Sequence, residues 1–169
     1  MKFEIAYISQ SGNTEKLAHE IADRLPHRKT FVTDLATEEI TQKADVYLVG
    51  FGVNKGMVPL RVMEVLDKLH GKTILFFVTS GLDPVKEYKE LIERKLSPFM
   101  PDKCDYRGLF MCPGRFPDAV LESARRTLEA DPDNKMAIKV LEDAELSQDH
   151  PNETDFENAY RFIKEHLGL

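Results

Sequence analysis

Two short and almost continuously apolar stretches, at residues 45–52 and 73–81, constrain the fold of this chain more than any other feature. Strands with this pattern are buried on both faces of a sheet, as parallel strands are when helices cover them. Segments with helical spacing of apolar residues separate these stretches from other strand-like segments. Strands that alternate with helices pair in parallel and are joined by right-handed crossovers. We therefore expect a doubly wound α/β sheet with helices on both faces.

The hydrophobic periodicity predicts five strands and seven helices along the chain. The predicted strands span residues 2–8, 29–34, 45–52, 73–81 and 105–112. The predicted helices span residues 14–25, 37–44, 60–70, 84–96, 117–130, 134–145 and 154–167. Two of these helices carry capping signals. The signals are Asp83 as N-cap before Pro84, and a capping box formed by Thr154 and Glu157. The helix after Asp83 is expected to bury Val85, Tyr88, Leu91 and Ile92.

The length and composition favour a single domain that spans residues 1–169, with a less regular elaboration at 131–152 before the last helix. A hydrophobic fraction of 42% supports a buried core, and the net charge of −6 favours a basic protein partner over nucleic acid. The histidines lack a metal-binding spacing, and no apolar run reaches the roughly 20 residues that span a membrane. With only two cysteines, the chain is expected to be cytoplasmic. We expect it to be a monomer or a dimer.

A polar loop follows the first predicted strand and leads directly into a helix. It offers three hydroxyl side chains, a glycine and a helix N-terminus in the sequence Ser9, Gln10, Ser11, Gly12, Asn13, Thr14. Unpaired amides and the positive end of the helix dipole favour a phosphate group at such a place. Glycine lets the backbone close around the anion, the hydroxyls can donate to it, and Lys16 adds positive charge nearby unless it faces solvent. The alternative is that these residues only cap the helix.

The segment Ser9–Thr14, SQSGNT, resembles the (T/S)x(T/S)GxT phosphate loop of the flavodoxin family. The order of elements, the length and the acidic balance are similar to that family over about residues 1–130 and again in the last helix. The segments GLFMCPGR and HPNETDFENAYRFIKEHL are also similar to a group of bacterial flavodoxin-like proteins. The resemblance implies five parallel strands in the order 2-1-3-4-5, and bound FMN whose phosphate is held by residues 9–14.

The same resemblance implies that two later loops hold the isoalloxazine ring of FMN through their backbone groups. These loops contribute Gly52, Val53, Asn54, Lys55, Gly56, Ser80, Gly81, Leu82 and Asp83. In the family, a peptide of the first of these loops changes its hydrogen bond when the flavin is reduced. Lys55 and Gly56 are where this chain has conformational freedom for such a change. Lys55 either lies near the flavin, where a cation would favour the reduced anion, or is a solvated loop residue.

Aromatic stacking is the feature in which the chain departs from that family, because it has no Trp and neither loop tip carries an aromatic residue. The nearest candidates are Phe51, Phe110 and Phe116, of which Phe51 is more typical of a strand core. Cys112, at the end of the fifth strand, is either a reactive thiol or a buried structural cysteine, and free cysteines are usually buried.

Three functions remain open from the sequence. The first is an FMN-binding electron carrier that docks on a redox partner protein, either a reductase or an acceptor oxidoreductase. The second is an FMN-dependent oxidoreductase of the NAD(P)H:quinone type, in which the 131–152 segment could form a roof over the flavin. The third is a flavodoxin-like binding module that has lost its flavin. A phosphoacceptor receiver is excluded, because it needs acidic residues where this chain has Ser9, Gln10 and Phe51.

Overall fold

The computed structural model describes residues 1–26, 29–53, 55–81 and 84–169. The strands are β1 (Phe3–Ile8), β2 (Thr30–Asp34), β3 (Val46–Val53), β4 (Thr73–Ser80) and β5 (Asp105–Pro113). The helices are α1 (Asn13–Arg24), α2 (Leu60–Leu66), α3 (Lys86–Leu96), α4 (Asp118–Ala130), α5 (Lys135–Ser147) and α6 (Glu153–Leu167). All neighbouring strands pair in parallel, in the order β2-β1-β3-β4-β5. The predicted doubly wound sheet is therefore confirmed.

Helices cover both faces of the sheet, which explains why β3 and β4 are apolar almost throughout. On one face, α2 and α3 pack through buried residues that include Val65 and Ile92. On the other, α1 and α6 pack through buried residues that include Ile21 and Phe156. Each central strand alternates its side chains between these two layers, so neither face can be polar.

The segment that the sequence marks as an elaboration is largely helical. Most of residues 131–152 belong to α5, as the predicted helix at 134–145 requires. This helix and α4 pack mainly against each other. Within the described ranges, none of the helices combines the length and the apolar character that a membrane span needs.

The prediction of a helix at residues 37–44 is wrong, because the described chain between β2 and β3 has no helix there. Thr41 donates two hydrogen bonds to the carboxylate of Glu4 in β1, from its amide at 2.8 Å and from its hydroxyl at 2.7 Å. A helical amide must instead bond to a carbonyl one turn earlier, so this tether removes Thr41 from helical pairing. The apolar spacing reflects Ile40 and Ala44, which reach the core from an irregular segment.

Helix α3 begins later than the sequence predicts. Val85 is its N-cap in an extended conformation with φ −61° and ψ 155°, so Pro84 precedes the helix. The predicted N-cap, Asp83, lies outside the described residues. Because Val85 comes before the first turn, it does not share the buried face and is 50% exposed, so the predicted stripe is wrong at this position. The apolar residues that α3 buries wholly or partly are Tyr88, Leu91, Ile92 and Leu96.

The capping box of α6 is formed by a different pair from the one predicted. Asn152 Oδ1 accepts from the amides of Thr154 at 3.1 Å and Asp155 at 3.4 Å, and Asp155 Oδ2 accepts from the Asn152 amide at 2.9 Å. The prediction of Thr154 with Glu157 is wrong because the helix starts at Glu153. The pair Asn152 and Asp155 has the same N-cap to N3 spacing as the predicted pair Thr154 and Glu157. Which pair forms the capping box depends on the residue at which the helix starts.

Candidate functional site

The loops after β1, β3, β4 and β5 meet at the carboxyl edge of the sheet. The parallel register places Ile8 beside Phe51, Val53 beside Ser80, and Ser80 beside Pro113. Open α/β sheets bind ligands at this edge, where the strand order reverses. In the order β2-β1-β3-β4-β5 the reversal lies between β1 and β3. The β1–α1 loop therefore lies where a ligand is expected.

The β1–α1 loop ends at Gly12, which is the N-cap of α1 and has a left-handed conformation with φ 86°. A β-carbon at this position would meet no atom within 4 Å, so the backbone angle rather than crowding requires glycine. Glycine has no side chain that could cap the first turn, and no side-chain cap is present at this described end of α1. The amides of the first turn, at the positive end of the helix dipole, can therefore bind an anion.

The serine hydroxyls of this loop both act as acceptors. Ser9 Oγ accepts from the Gly12 amide at 3.1 Å, and Ser11 Oγ accepts from Asn13 Nδ2 at 3.1 Å. A hydroxyl that accepts a hydrogen bond keeps its own proton for donation. Two O–H donors are thus held beside the first turn of α1, which suits an oxyanion rather than a cation. Gln10 between them is exposed.

Thr14 is the innermost residue of the predicted phosphate loop and is only 1% exposed. Its hydroxyl oxygen lies 2.8 Å from that of Thr79 in β4. When Thr79 donates, the proton of Thr14 is left for a second acceptor. Gly52 lies next to this pair, because a β-carbon there would be 3.5 Å from both oxygens. The sequence analysis missed Thr79. A threonine in a buried strand gives the same sequence pattern whether its hydroxyl is hydrogen-bonded to another side chain or its side chain only packs in the core.

Asn13 connects the β1–α1 loop to the β5–α4 loop. Its Nδ2 donates to the main-chain oxygen of Arg115 at 2.8 Å. Gly114 makes this approach possible, because a β-carbon there would lie 2.7 Å from Nδ2. The amide of Gly114 donates to the carbonyl of Ser80 at 2.8 Å, which fixes the same loop to β4. The sequence analysis assigned no contact to Gly114 or Arg115, because their partners are far away in the chain.

The turn before α6 supports these two loops from behind. The amide of Arg115 donates to the carbonyl of His150 at 2.9 Å. Lys16 Nζ donates to the carbonyl of Pro151 at 3.1 Å and lies 5.3 Å from the centre of the Phe156 ring. The cation of Lys16 is thus directed toward α6, where it holds the turn at residues 150–151.

The β3–α2 loop contains two consecutive residues in the left-handed region. Lys55 has φ 51° and Gly56 has φ 69°, and the Lys55 side chain is exposed. Lys95 of α3, which the sequence analysis missed, donates from Nζ to the main-chain oxygen of Gly56. This loop therefore has an unusual backbone and a cation bound to one of its carbonyls. Asn54, also predicted in the site, lies outside the described residues.

The β4–α3 loop continues from Ser80, which is buried, into Gly81. The phenyl ring of Phe116 lies against Gly81, since a β-carbon there would be 2.6 Å from the ring atom Cζ. Leu82 and Asp83, the other two predicted residues of this loop, lie outside the described residues.

The three aromatic candidates have different surroundings. Phe51 is fully buried and meets Phe76 edge to face at 6.3 Å, so its interpretation as a core residue is confirmed. Phe110 pairs with Phe162 of α6 at 6.0 Å between ring centres. Phe116 is partly exposed and follows the strand end, in the β5–α4 loop. Of the three, Phe116 is the one in a loop of the carboxyl edge.

Cys112 is a buried structural residue, as the second interpretation of the sequence predicts. It is 2% exposed and forms no disulfide. Burial raises the pKa of its thiol far above the ordinary value, and the negative charge of Asp155 raises this pKa further. The thiol therefore stays protonated near neutral pH and is a poor nucleophile.

Comparisons with known proteins identify the family of this chain. The family model for the flavodoxin domain matches residues 4–164. The chain belongs to the flavodoxin domain family. Two relatives of this flavodoxin domain are flavodoxin-like domain-containing proteins called BilS. The protein from Clostridioides difficile is 30% identical over 97% of this chain and 95% of the relative. The protein from Clostridium symbiosum is 27% identical over 96% of this chain and 94% of the relative.

Solved structures show the same fold at low sequence identity. A flavoprotein from Lactobacillus acidophilus, solved in complex with FMN, has a TM-score of 0.52 and 16% identity over 65% of this chain and 92% of its own. The general stress protein 14 of Treponema denticola, also solved with FMN, has a TM-score of 0.50 and 15% identity over 86% of this chain and 99% of its own. At such identities the likeness establishes the architecture of the flavodoxin domain.

Proposed function

We propose that this flavodoxin domain binds FMN, with its phosphate in the β1–α1 loop, and exchanges electrons between FMN and a redox partner protein. The observation that carries the proposal is the geometry of that loop. Gly12 opens the first turn of α1 in a left-handed conformation, and Ser9 and Ser11 keep their hydroxyl protons for donation. Family membership and the two similar structures solved with FMN support the same ligand.

The residues present fit a phosphate monoester. The loop supplies amide and hydroxyl donors in front of a helix dipole, which is the usual way a helix N-terminus binds phosphate. Thr14 adds a donor from the buried side through its bond with Thr79. When bound, FMN supplies one-electron or two-electron chemistry, and the protein supplies position and electrostatics. The ring of FMN is expected beside the described residues of the β3–α2 and β4–α3 loops, namely Gly52, Val53, Lys55, Gly56, Ser80 and Gly81.

Exposed apolar side chains near the same edge support an electron carrier. Met57 is 61%, Leu60 70% and Val85 50% exposed, and all three follow β3 or β4. Apolar residues beside a site favour contact with another protein. The net charge of −6 favours a partner with a basic surface. Both cysteines are unpaired, which is consistent with the cytoplasm that we propose as its location.

An FMN-dependent NAD(P)H:quinone oxidoreductase is the second candidate. Helices α4 and α5 follow the β5–α4 loop and pack mainly against each other, so they could cover part of the carboxyl edge. The purified protein loaded with FMN distinguishes the candidates when NADPH and a quinone are added without another protein. Rapid oxidation of NADPH would identify the enzyme. A carrier oxidises NADPH only after a partner reductase is added.

The ligand is tested by titrating the flavin-free protein with FMN and with riboflavin, which lacks the phosphate, and following flavin fluorescence. We expect FMN to bind on the order of a hundredfold more tightly, because several charge-assisted hydrogen bonds are lost with riboflavin. Ser11→Ala and Thr14→Val should each weaken FMN binding by about tenfold and leave riboflavin binding unchanged. Ser123→Ala, which changes an exposed serine of α4, is the matched control. Equal affinities for the two flavins, or no binding of either, would overturn the proposal.

A further inference from the structure

Phe116 packs directly on the main chain of the β4–α3 loop. A β-carbon on Gly81 would lie 2.6, 2.8 and 2.9 Å from three atoms of the phenyl ring. Real β-carbons do not approach other atoms so closely, so the ring occupies the space that any side chain at position 81 would need. Glycine at this position therefore lets an aromatic ring from another loop lie over the chain end of β4.

Core packing does not explain this ring. Phe116 is partly exposed, and it belongs to neither of the two buried clusters of the described residues. It takes part in none of the ring-to-ring contacts found in the described ranges. An apolar ring with a partly exposed surface is thus held in a loop where solvent would otherwise favour a polar side chain.

The position of Phe116 is fixed from both sides. The preceding residue, Arg115, receives the hydrogen bond of Asn13 at 2.8 Å on its main-chain oxygen. The amide of Gly114, two residues before Phe116, donates to the carbonyl of Ser80 at 2.8 Å. The ring is therefore connected by short, bonded segments to the β1–α1 loop and to the end of β4. It lies between the proposed phosphate site and a loop that we expect beside the flavin ring.

We propose that Phe116 is a flavin-binding residue that provides the aromatic surface for the isoalloxazine ring. This inference rests on the proposed function, and it assigns to the β5–α4 loop a contact that the described residues of the β3–α2 and β4–α3 loops cannot make, because none of them is aromatic. A large planar apolar ring gains both burial and stacking from such a surface. Besides its own expected place beside the flavin ring, Gly81 takes part indirectly, as the residue that lets Phe116 lie there.

Riboflavin separates this contact from the phosphate site, because it has the ring and lacks the phosphate. Phe116→Leu is expected to weaken the binding of FMN and of riboflavin by the same factor, about tenfold. Ser11→Ala should weaken only FMN. Phe116→Trp should preserve both affinities and quench the fluorescence of the bound flavin more strongly. The control is Phe99→Leu, which changes a 42% exposed phenylalanine in the short 3-10 turn after α3 and should alter neither affinity.

Coupling between two positions gives an independent readout. Gly81→Ala should displace the ring and weaken both flavins, and it should add little in a Phe116→Leu background, since the ring is then absent. Thermal unfolding confirms that each variant is folded. If Phe116→Leu binds both flavins like the wild type while Ser11→Ala loses FMN, the assignment of Phe116 is wrong and the proposed function stands. If the wild type binds neither flavin, the proposed function itself fails, and this inference with it.

Discussion

The side-chain amide of Asn13 donates to the main-chain oxygen of Arg115 across 2.8 Å and so joins the first and the last loop of the carboxyl edge. Asn13 follows the first strand of the chain and Arg115 follows the last, yet their loops enclose one site. Gly114 is the condition for this contact, because the carboxamide fills the volume that a β-carbon would occupy.

Gly114→Ala should disrupt this connection. The new β-carbon would lie 2.7 Å from Asn13 Nδ2, so either the side chain or the loop must move. Overpacking of this kind costs about 1–3 kcal/mol of unfolding free energy. We also expect weaker FMN binding, measured by fluorescence titration beside chemical denaturation. In an Asn13→Ala background the same substitution should cost much less, because only the β-carbon of residue 13, at 3.2 Å, would remain close to the new one. An equally large effect there would show that the clash lies elsewhere.

Glu4 is expected to be a major determinant of stability. Its side chain is fully buried in β1 and accepts three hydrogen bonds, from the Thr33 hydroxyl at 2.9 Å and from the amide and hydroxyl of Thr41. Glu4→Ala removes the acceptor of three donors, of which the Thr33 hydroxyl is buried and the two groups of Thr41 are half-buried, and should lower the unfolding free energy by about 3 kcal/mol. Thr41→Val removes one donor and should cost about 1 kcal/mol.

Urea denaturation measures the loss of unfolding free energy in Glu4→Ala and in Thr41→Val. Lys2→Ala is a suitable control, because it changes an exposed residue two positions away in the chain. A Glu4→Ala protein with the wild-type unfolding midpoint would contradict the assigned role of the carboxylate.

Lys55 should influence the midpoint potential of bound FMN. The side chain is exposed in the β3–α2 loop, so its effect is Coulombic and screened by water. A cation favours the reduced, anionic flavin, so Lys55→Glu should lower the potential by roughly 20–40 mV at low salt and by less at high salt. Redox titration with a dye of known potential measures the shift. Lys2→Glu changes the net charge equally at the opposite edge of the sheet and should leave the potential unaltered.

Thiol reactivity should follow burial and pH. The pKa of Cys112 is raised by burial and by Asp155, and the pKa of Cys104 is raised chiefly by burial. A raised pKa means less thiolate at a given pH, so modification by a thiol reagent at pH 8 should be slow for Cys104 and absent for Cys112 in the folded protein. The rate at Cys104 should increase as the pH rises toward its pKa. Both thiols should react in guanidinium, and rapid labelling of native Cys112 would contradict its burial.

The raised pKa of Cys112 also predicts a pH-dependent stability. In the unfolded chain the thiol ionises near its ordinary pKa of 9.0, whereas in the folded protein it stays protonated. The stabilising contribution is therefore complete below that pH and is lost as the pH rises above it. Urea denaturation at pH 8 and pH 10 should show a larger loss of stability for the wild type than for Cys112→Ala. Equal losses would show that other groups account for the change.

The candidate site illustrates how far local sequence signals extend. The segment Ser9–Thr14 stands out because its hydroxyls, its glycine and the helix start are consecutive in the chain, and its role as a phosphate loop stays a prediction. Thr79, Lys95 and Gly114 carried no comparable signal, because each acts on a residue from another element. The helix expected at residues 37–44 failed for a similar reason, since a contact with Glu4 overrode the local preference of the segment.

By itself, the sequence determined the alternation of strands and helices, the burial of β3 and β4 on both faces, and the strand-to-helix turn that ends at Gly12. These features depend on periodicity and on neighbouring residues, which a linear pattern contains. Only the tertiary structure decided which side chains meet, such as Asn13 with Arg115 and Phe116 with Gly81. Such contacts arise when parallel register brings distant loops to one edge, and no spacing along the chain records that proximity.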